Sequence, residues 1–420
     1  MGRISLFAAA GIFVASSASA ADLAAPVVAA PKAPAAWSDT ITAGLQIDAG
    51  ILANPGNPSN GQNFGQLYSD HANSVMLNQI LLTFQRPLDP AATGYDFGFM
   101  IQGMYGADAR YNHVLGIDDY LLNGRNQLVP TDVYGLAHLP WLTTGGIDLK
   151  AGLTGGEMGY EVLDPSVRPF YTYSYITNYL LPFQHIGGFA TWHVNDTWDL
   201  YAGIDTGAQT SFGHGDNNSL PAGYFGFGLN KLLDGKLGIV VMSRIGPEDS
   251  LRVYSNANSL MRSWNDVTAT YKYDDKLSFV VEANFYDEAA FPHNTAYGVA
   301  GYVNYAYSDQ IGFNARAEIM RDNTGVIVGN YIGADAYTNA LAGYPYTFES
   351  APAPTTYGEI TLNVTYRPKI DWTQFFNLPV KTLEFRPEIR YDRSLNGTYA
   401  FNAGTSQNAF MFGGDIVLGF

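Results

Sequence analysis

Cysteine is absent from the 420 residues, which excludes both a disulfide framework and a thiolate metal site. Charge is scarce: 14% of residues are Asp, Glu, Lys or Arg, and the formal balance is −16. That offers no basic surface for a nucleic acid. Long hydrophobic runs are missing too. Beyond the first residues nothing approaches the ~20 apolar positions of a membrane helix. His-X-X-His spacing does not occur, and neither a metal nor a cofactor is expected.

What the chain does have is 45 Gly, 29 Tyr and 24 Phe, with a mean hydropathy near zero (−0.06). Dyad alternation produces such a composition, because half of each strand meets lipid and half meets water. The C-terminal stretch states the pattern most clearly. Phe410, Phe412, Ile416, Leu418 and Phe420 share one face; Met411, Gly413, Asp415, Val417 and Gly419 hold the other. A soluble protein ending on so apolar an edge would aggregate, whereas a closed barrel in lipid has no edge. A terminal strand ending in Phe also resembles the assembly signal of bacterial outer-membrane barrels. Phe410, Phe412, Leu418 and Phe420 are the residues expected to carry it towards the barrel-assembly machinery.

The N-terminus agrees. Arg3, the apolar run Leu6–Val14 and the small residues Ala18-Ser19-Ala20 read as a cleaved secretory signal over 1–20. Residues 21–36, rich in Ala and Pro, read as a periplasmic leader. The barrel domain is then 37–420.

Period-two segments recur at 39–53, 74–86, 96–106, 132–142, 146–154, 184–194, 198–210, 223–232, 236–245, 263–273, 276–287, 295–307, 310–322, 357–367, 381–392 and 408–420. The expected fold is all-β: a transmembrane antiparallel up-and-down barrel of about 16 strands, with a water-filled lumen and an inward-folded loop. Tight turns (143–145, 195–197, 233–235, 274–275, 308–309) alternate with long segments near 54–73, 107–131, 155–183, 246–262, 323–356 and 393–407. Short turns belong on the periplasmic side, so both termini are expected there, in the outer membrane of a Gram-negative cell. Trp141, Trp192, Trp198, Tyr271, Tyr273, Tyr305, Tyr307 and Tyr366 fall at the turn end and read as an interfacial girdle.

Sixteen strands leave an aqueous channel unless something fills it. From Lys381 to Asp392, Glu384, Arg386, Glu388, Arg390 and Asp392 alternate with apolar residues. Turned to lipid, a charge would cost roughly 2–4 kcal/mol near the midplane, least for the acids, so this face should look at water. The same reasoning places Arg316, Glu318, Glu282, Arg244 and Lys272 on the pore wall. The segment 155–183 carries Glu157, Glu161 and Asp164 and is the expected constriction. Its acids would stand across the throat from Arg316, Arg386 and Arg390, making a transverse field. The competing reading has the loop outside, with the arginines paired to Glu384 and Glu388.

At residue level, FYTYSYI (170–176), LPFQHIGGFATWHVNDTWDLYAGIDTG (181–207), YGVAGYVNYAYSDQIGFNARAE (297–318), LEFRPEIRYDRS (383–394) and HLPWLTTGGIDLKAG (138–152) resemble the β-barrel porin type 2 family. That resemblance implies an outer-membrane barrel with a transport role and supplies no catalytic residue or substrate. The chain departs from it in the long insertion around 323–356.

The function expected is passive diffusion of small hydrophilic solutes and ions. Alternatives are a substrate-selective channel or a surface adhesin or receptor acting through the long loops. An enzymatic barrel finds only the weak cluster His214–Ser219. Inward aromatics such as Tyr201, Tyr286 and Tyr302 read as scattered, which favours a nonspecific pore. The acidic balance tilts the expected selectivity towards cations. A homotrimer is an open possibility, with Ala43 and Ala49 available to pack a neighbour in the lipid-facing wall.

Overall fold

The structure is a computed structural model and describes residues 37–119, 124–290, 293–329, 353–370 and 380–420. The expected signal and leader (1–36), and most of the 323–356 insertion, lie outside the described residues.

Sixteen strands form one closed antiparallel barrel. They are β1 (Thr42–Ala53), β2 (Val75–Arg86), β3 (Asp96–Gly106), β4 (Gln127–Leu139), β5 (Ile147–Gly155), β6 (Gln184–His193), β7 (Trp198–Asp205) and β8 (Ala222–Lys231). The second half comprises β9 (Leu237–Pro247), β10 (Met261–Lys272), β11 (Leu277–Glu288), β12 (Asn294–Ala306), β13 (Ile311–Asp322), β14 (Thr355–Tyr366), β15 (Thr382–Ser394) and β16 (Asn408–Gly419). Each strand pairs with its sequence neighbours, and β1 pairs with β16 to close the ring.

Alternation sets which side chains look outward. On β11, Phe279, Val281 and Phe285 are exposed while Val280, Glu282 and Asn284 are buried. On β16, Phe410, Phe412 and Ile416 face out while Met411, Asp415 and Val417 face in. The apolar exterior is thus the property the strand pattern demanded. Among the described residues no helix is long and apolar enough to cross a membrane; the strands do that work.

Closure depends on close backbone approach at β16. A Cβ on Gly413 would collide with the Ile51 carbonyl, and one on Gly414 (φ +143°) with the Arg386 carbonyl. Only glycine lets this strand reach both neighbours. The chain's last residue completes the seam: the Phe420 amide donates to Leu45 O at 2.9 Å.

Three features depart from the expected pattern. β4 begins at Gln127, five residues early, and includes Pro130. The register shifts between Gln102 and Gly103 just there, and such a bulge tolerates a residue without an N–H. β7 stops at Asp205, five residues short of the expected end at 210, and the connection to β8 covers 206–221. Finally, the β14–β15 ladder is interrupted between Asn363–Glu388 and Tyr366–Phe385, opposite Pro387. An open groove of about 670 Å³ lies on the outer wall at this place, lined by Phe313, Leu362, Val364, Ile389 and Phe412.

Most long connections gather at one end of the barrel, where β11–β12 (289–293) is the short exception. Most short turns, the start of β1 and the end of β16 share the other, where β14–β15 (367–381) is the longer exception. Trp141, Trp198, Tyr273, Tyr305, Tyr307 and Tyr366 are exposed at that turn end.

Candidate pore constriction

The connection between β5 and β6, residues 156–183, is bound to wall residues from strands far apart around the ring. It includes one short helix, α1 (Tyr175–Tyr179), capped by the Ser174 hydroxyl on the Thr177 amide. Near β1 and β2, Gln46 donates to Asp164 at 3.3 Å and Gln79 to Leu163 O at 2.9 Å. Near β11, the Tyr160 amide donates to Glu282 at 3.2 Å. On β13, Glu318 accepts the amides of Tyr175 (2.6 Å) and Ile176 (2.8 Å). On β15, Glu388 accepts the amides of Tyr171 (3.0 Å) and Thr172 (3.2 Å). A carboxylate taking two successive amides is a strong, charge-assisted contact.

The arginines complete the belt. Arg316 (β13) donates to Glu359 at 2.6 Å, to Glu161 at 2.5 Å and to the Thr172 carbonyl at 2.8 Å. Its guanidinium also lies over the Phe170 ring, 4.9 Å from the centroid. Arg386 (β15) is paired bidentately with Asp415 on β16 and gives its remaining Nη1 protons to the carbonyls of Pro165 and Arg168. Arg390 is paired with Asp392 and donates to Tyr173 O at 2.7 Å.

These contacts revise the sequence expectation in two ways. Arg316, Arg386 and Arg390 are 0–1% exposed, so this charged face looks at a loop instead of at water. Loop carbonyls replace the hydration that an unpaired buried charge would lack, and the wall acids neutralise it. The expected field across an open throat is also missing from this side. Glu161 touches Arg316 directly, while Arg386 and Arg390 take loop carbonyls and wall aspartates instead of loop acids.

The remaining expected residues are dispersed. Glu157 is ion-paired with Lys150 on β5. Asp164 accepts from Gln46 and from Ser166. Glu384 pairs with Arg367 at 2.6 Å, towards the turn end. Arg244 is held between Asp205 and Glu248, towards the long-loop end. Lys272 ends β10, exposed at the turn side. The inward aromatics Tyr286 and Tyr302 stand in separate contacts, each with its own neighbour. Tyr302 packs on Tyr160 with centroids 4.6 Å apart, and Tyr286 lies 5.6 Å from Trp264.

Sequence reasoning missed Arg168, which sits within the loop, donates to Tyr171 O at 2.7 Å and lies over the Tyr173 ring. A lone cation in an acidic, aromatic segment was the available signal. It also missed the pairing role of Asp415, the one charged residue on the lumen face of β16.

A cavity of about 130 Å³ lies on the side of the loop away from the arginines and separates residues 156–164 from the wall of β3, β4 and β5. Among the described residues no group of three or more His, Asp or Glu could hold a metal.

Comparison with known proteins agrees with this architecture. A family profile described as "Putative beta-barrel porin-2, OmpL-like" matches residues 40–420. No curated protein matches the chain. Among solved structures, it is similar to the outer membrane channel DcaP of Acinetobacter baumannii (TM-score 0.52, 12% identity, 90% of this chain and 97% of that one). An anion-selective porin from Comamonas acidovorans is similar as well (0.54, 10%, 90% and 99%). So is the trimer form of OmpT from Vibrio cholerae (0.51, 10%, 91% and 99%). At such identities these likenesses speak for the fold.

Proposed function

The chain belongs to the β-barrel porin-2, OmpL-like family, and from that premise we propose that it is an outer-membrane porin through which small hydrophilic solutes and ions diffuse passively. The observation that carries the reading is the closed ring of 16 strands, apolar outside and polar inside. A ring of this size is too wide for wall side chains alone to fill.

Residues 156–183 form the constriction in this reading. Glu157, Glu161 and Asp164 are its acids, and the arginines of β13 and β15 are the clamps that fix it. The turn end, with both termini, faces the periplasm, and the long connections face outward. Phe410, Phe412, Leu418 and Phe420 present the terminal strand to the assembly machinery. A homotrimer in outer-membrane lipid is the proposed assembly, a state in which the OmpT relative in fold is described.

Conductance in planar bilayers, with sugars of graded size, tests this. Stepwise channels that admit small sugars and reject larger ones are expected. A correctly folded barrel that conducts no ions would refute it.

A further inference from the structure

The gap between the loop and the wall of β3–β5 has a charge pattern of its own. Four carboxylates line it: Asp132 on β4, and Glu157, Glu161 and Asp164 on the loop. Lys150 on β5 is the one cation among the residues lining it. Its ammonium pairs with Glu157 and lies 5.2 Å from the Tyr134 ring centroid. Gln184 lines the same gap with its Oε1 buried and without a hydrogen-bond partner, the residue being 1% exposed. A buried acceptor left open is costly unless something occupies the space before it.

The arginine belt cannot supply selectivity from across the ring. Its guanidinium groups are closed off by loop carbonyls and by their own carboxylate partners. Glu161, though it borders the gap, is neutralised by Arg316. Three carboxylates not held by an arginine therefore remain along the gap, with one ammonium already paired and a buried amide oxygen lacking a partner behind them.

Resting on the porin reading above, we propose that this gap is a cation-selective filter. Asp132, Glu157 and the Gln184 carbonyl attract small monovalent cations and protonated amines there, and Lys150 sets how strongly. The gap, and not the arginine wall, decides what crosses. Oxygen ligands and net negative charge in a narrow low-dielectric space favour cations and repel anions.

Reversal potentials of the full chain in planar bilayers under a KCl gradient test this. Wild type is expected to prefer K⁺ over Cl⁻. Lys150→Gln should raise that permeability ratio about twofold or more, and Asp132→Asn should lower it by a similar factor. Lys150→Arg should keep the wild-type ratio. Because Asp132 also accepts the Gly155 amide, Gln184→Met gives a second, uncharged arm, expected to lower K⁺ conductance. An anion preference in wild type overturns the proposal. So does a conducting channel whose ratio is unmoved by both Lys150→Gln and Asp132→Asn. Folded barrels that conduct nothing would instead remove the porin reading beneath it.

Discussion

Arg316 Nη1 stands 2.5 Å from Glu161 Oε1, joining β13 to a loop residue 155 positions earlier in the chain. The pair is buried, and it shares the guanidinium with Glu359 and Thr172. It is the one place where a loop acid and a late-strand arginine meet as the sequence suggested, though in contact instead of across water.

Arg316→Gln should therefore loosen the loop. Breaking one side of a buried ion pair costs about 3–5 kcal/mol, because it leaves the other side uncompensated. Single-channel conductance is expected to rise, while the barrel still forms. An unchanged conductance in a folded variant would refute the clamp.

Val281 lies at the middle of β11, 51% exposed on the outer face. Val281→Arg should cost about 2–4 kcal/mol in lipid if that face spans the bilayer. Equilibrium unfolding in phospholipid vesicles measures this, and a cost near zero would place the position outside the hydrocarbon.

Phe420 packs no core; its amide closes the ring onto β1. Phe420→Ser should slow assembly in cells while leaving folding into lipid vesicles intact. Equal defects in both settings would make the residue a structural one and remove its part in the assembly signal.

Asp70, on the first long connection, holds Arg110 through bonds of 2.7 and 2.9 Å and His71 at 2.8 Å. Burial alone would raise its pKa, but the hydrogen bonds from His71 and Arg110 outweigh that and hold it below 3.8. A lowered folded-state pKa stabilises above the unfolded value and is lost as pH falls through the folded one. Wild type and Asp70→Asn should thus differ in thermal midpoint at about pH 6–8 and converge in acid. A difference that grows on acidification would reverse the assignment.

The barrel was legible in the sequence because its cause is local and repetitive. Each strand carries its own alternation, so Val280 and Val281 declare opposite faces without knowledge of any partner. Pro130 hid the start of β4, since a proline reads as a break unless the bulge beside it at Thr131 is seen. The loop was harder. Its acids were visible, yet nothing local shows that Glu388 will accept the Tyr171 and Thr172 amides from 217 and 216 positions away. The alternation of β5 turns Lys150 inward, but the gap it lines exists only once the loop lies against the other wall.

That choice has a consequence in time. Gln46 and Gln79 hold residues 156–183 from β1 and β2, but the charged clamps come from β11, β13 and β15, which follow the loop in the sequence. Long-range contacts of this kind wait for their partners to arrive. The full set of loop contacts therefore needs a ring that is nearly whole. The width of the bore is in this way tied to closure of the ring as well as to the residues of its wall.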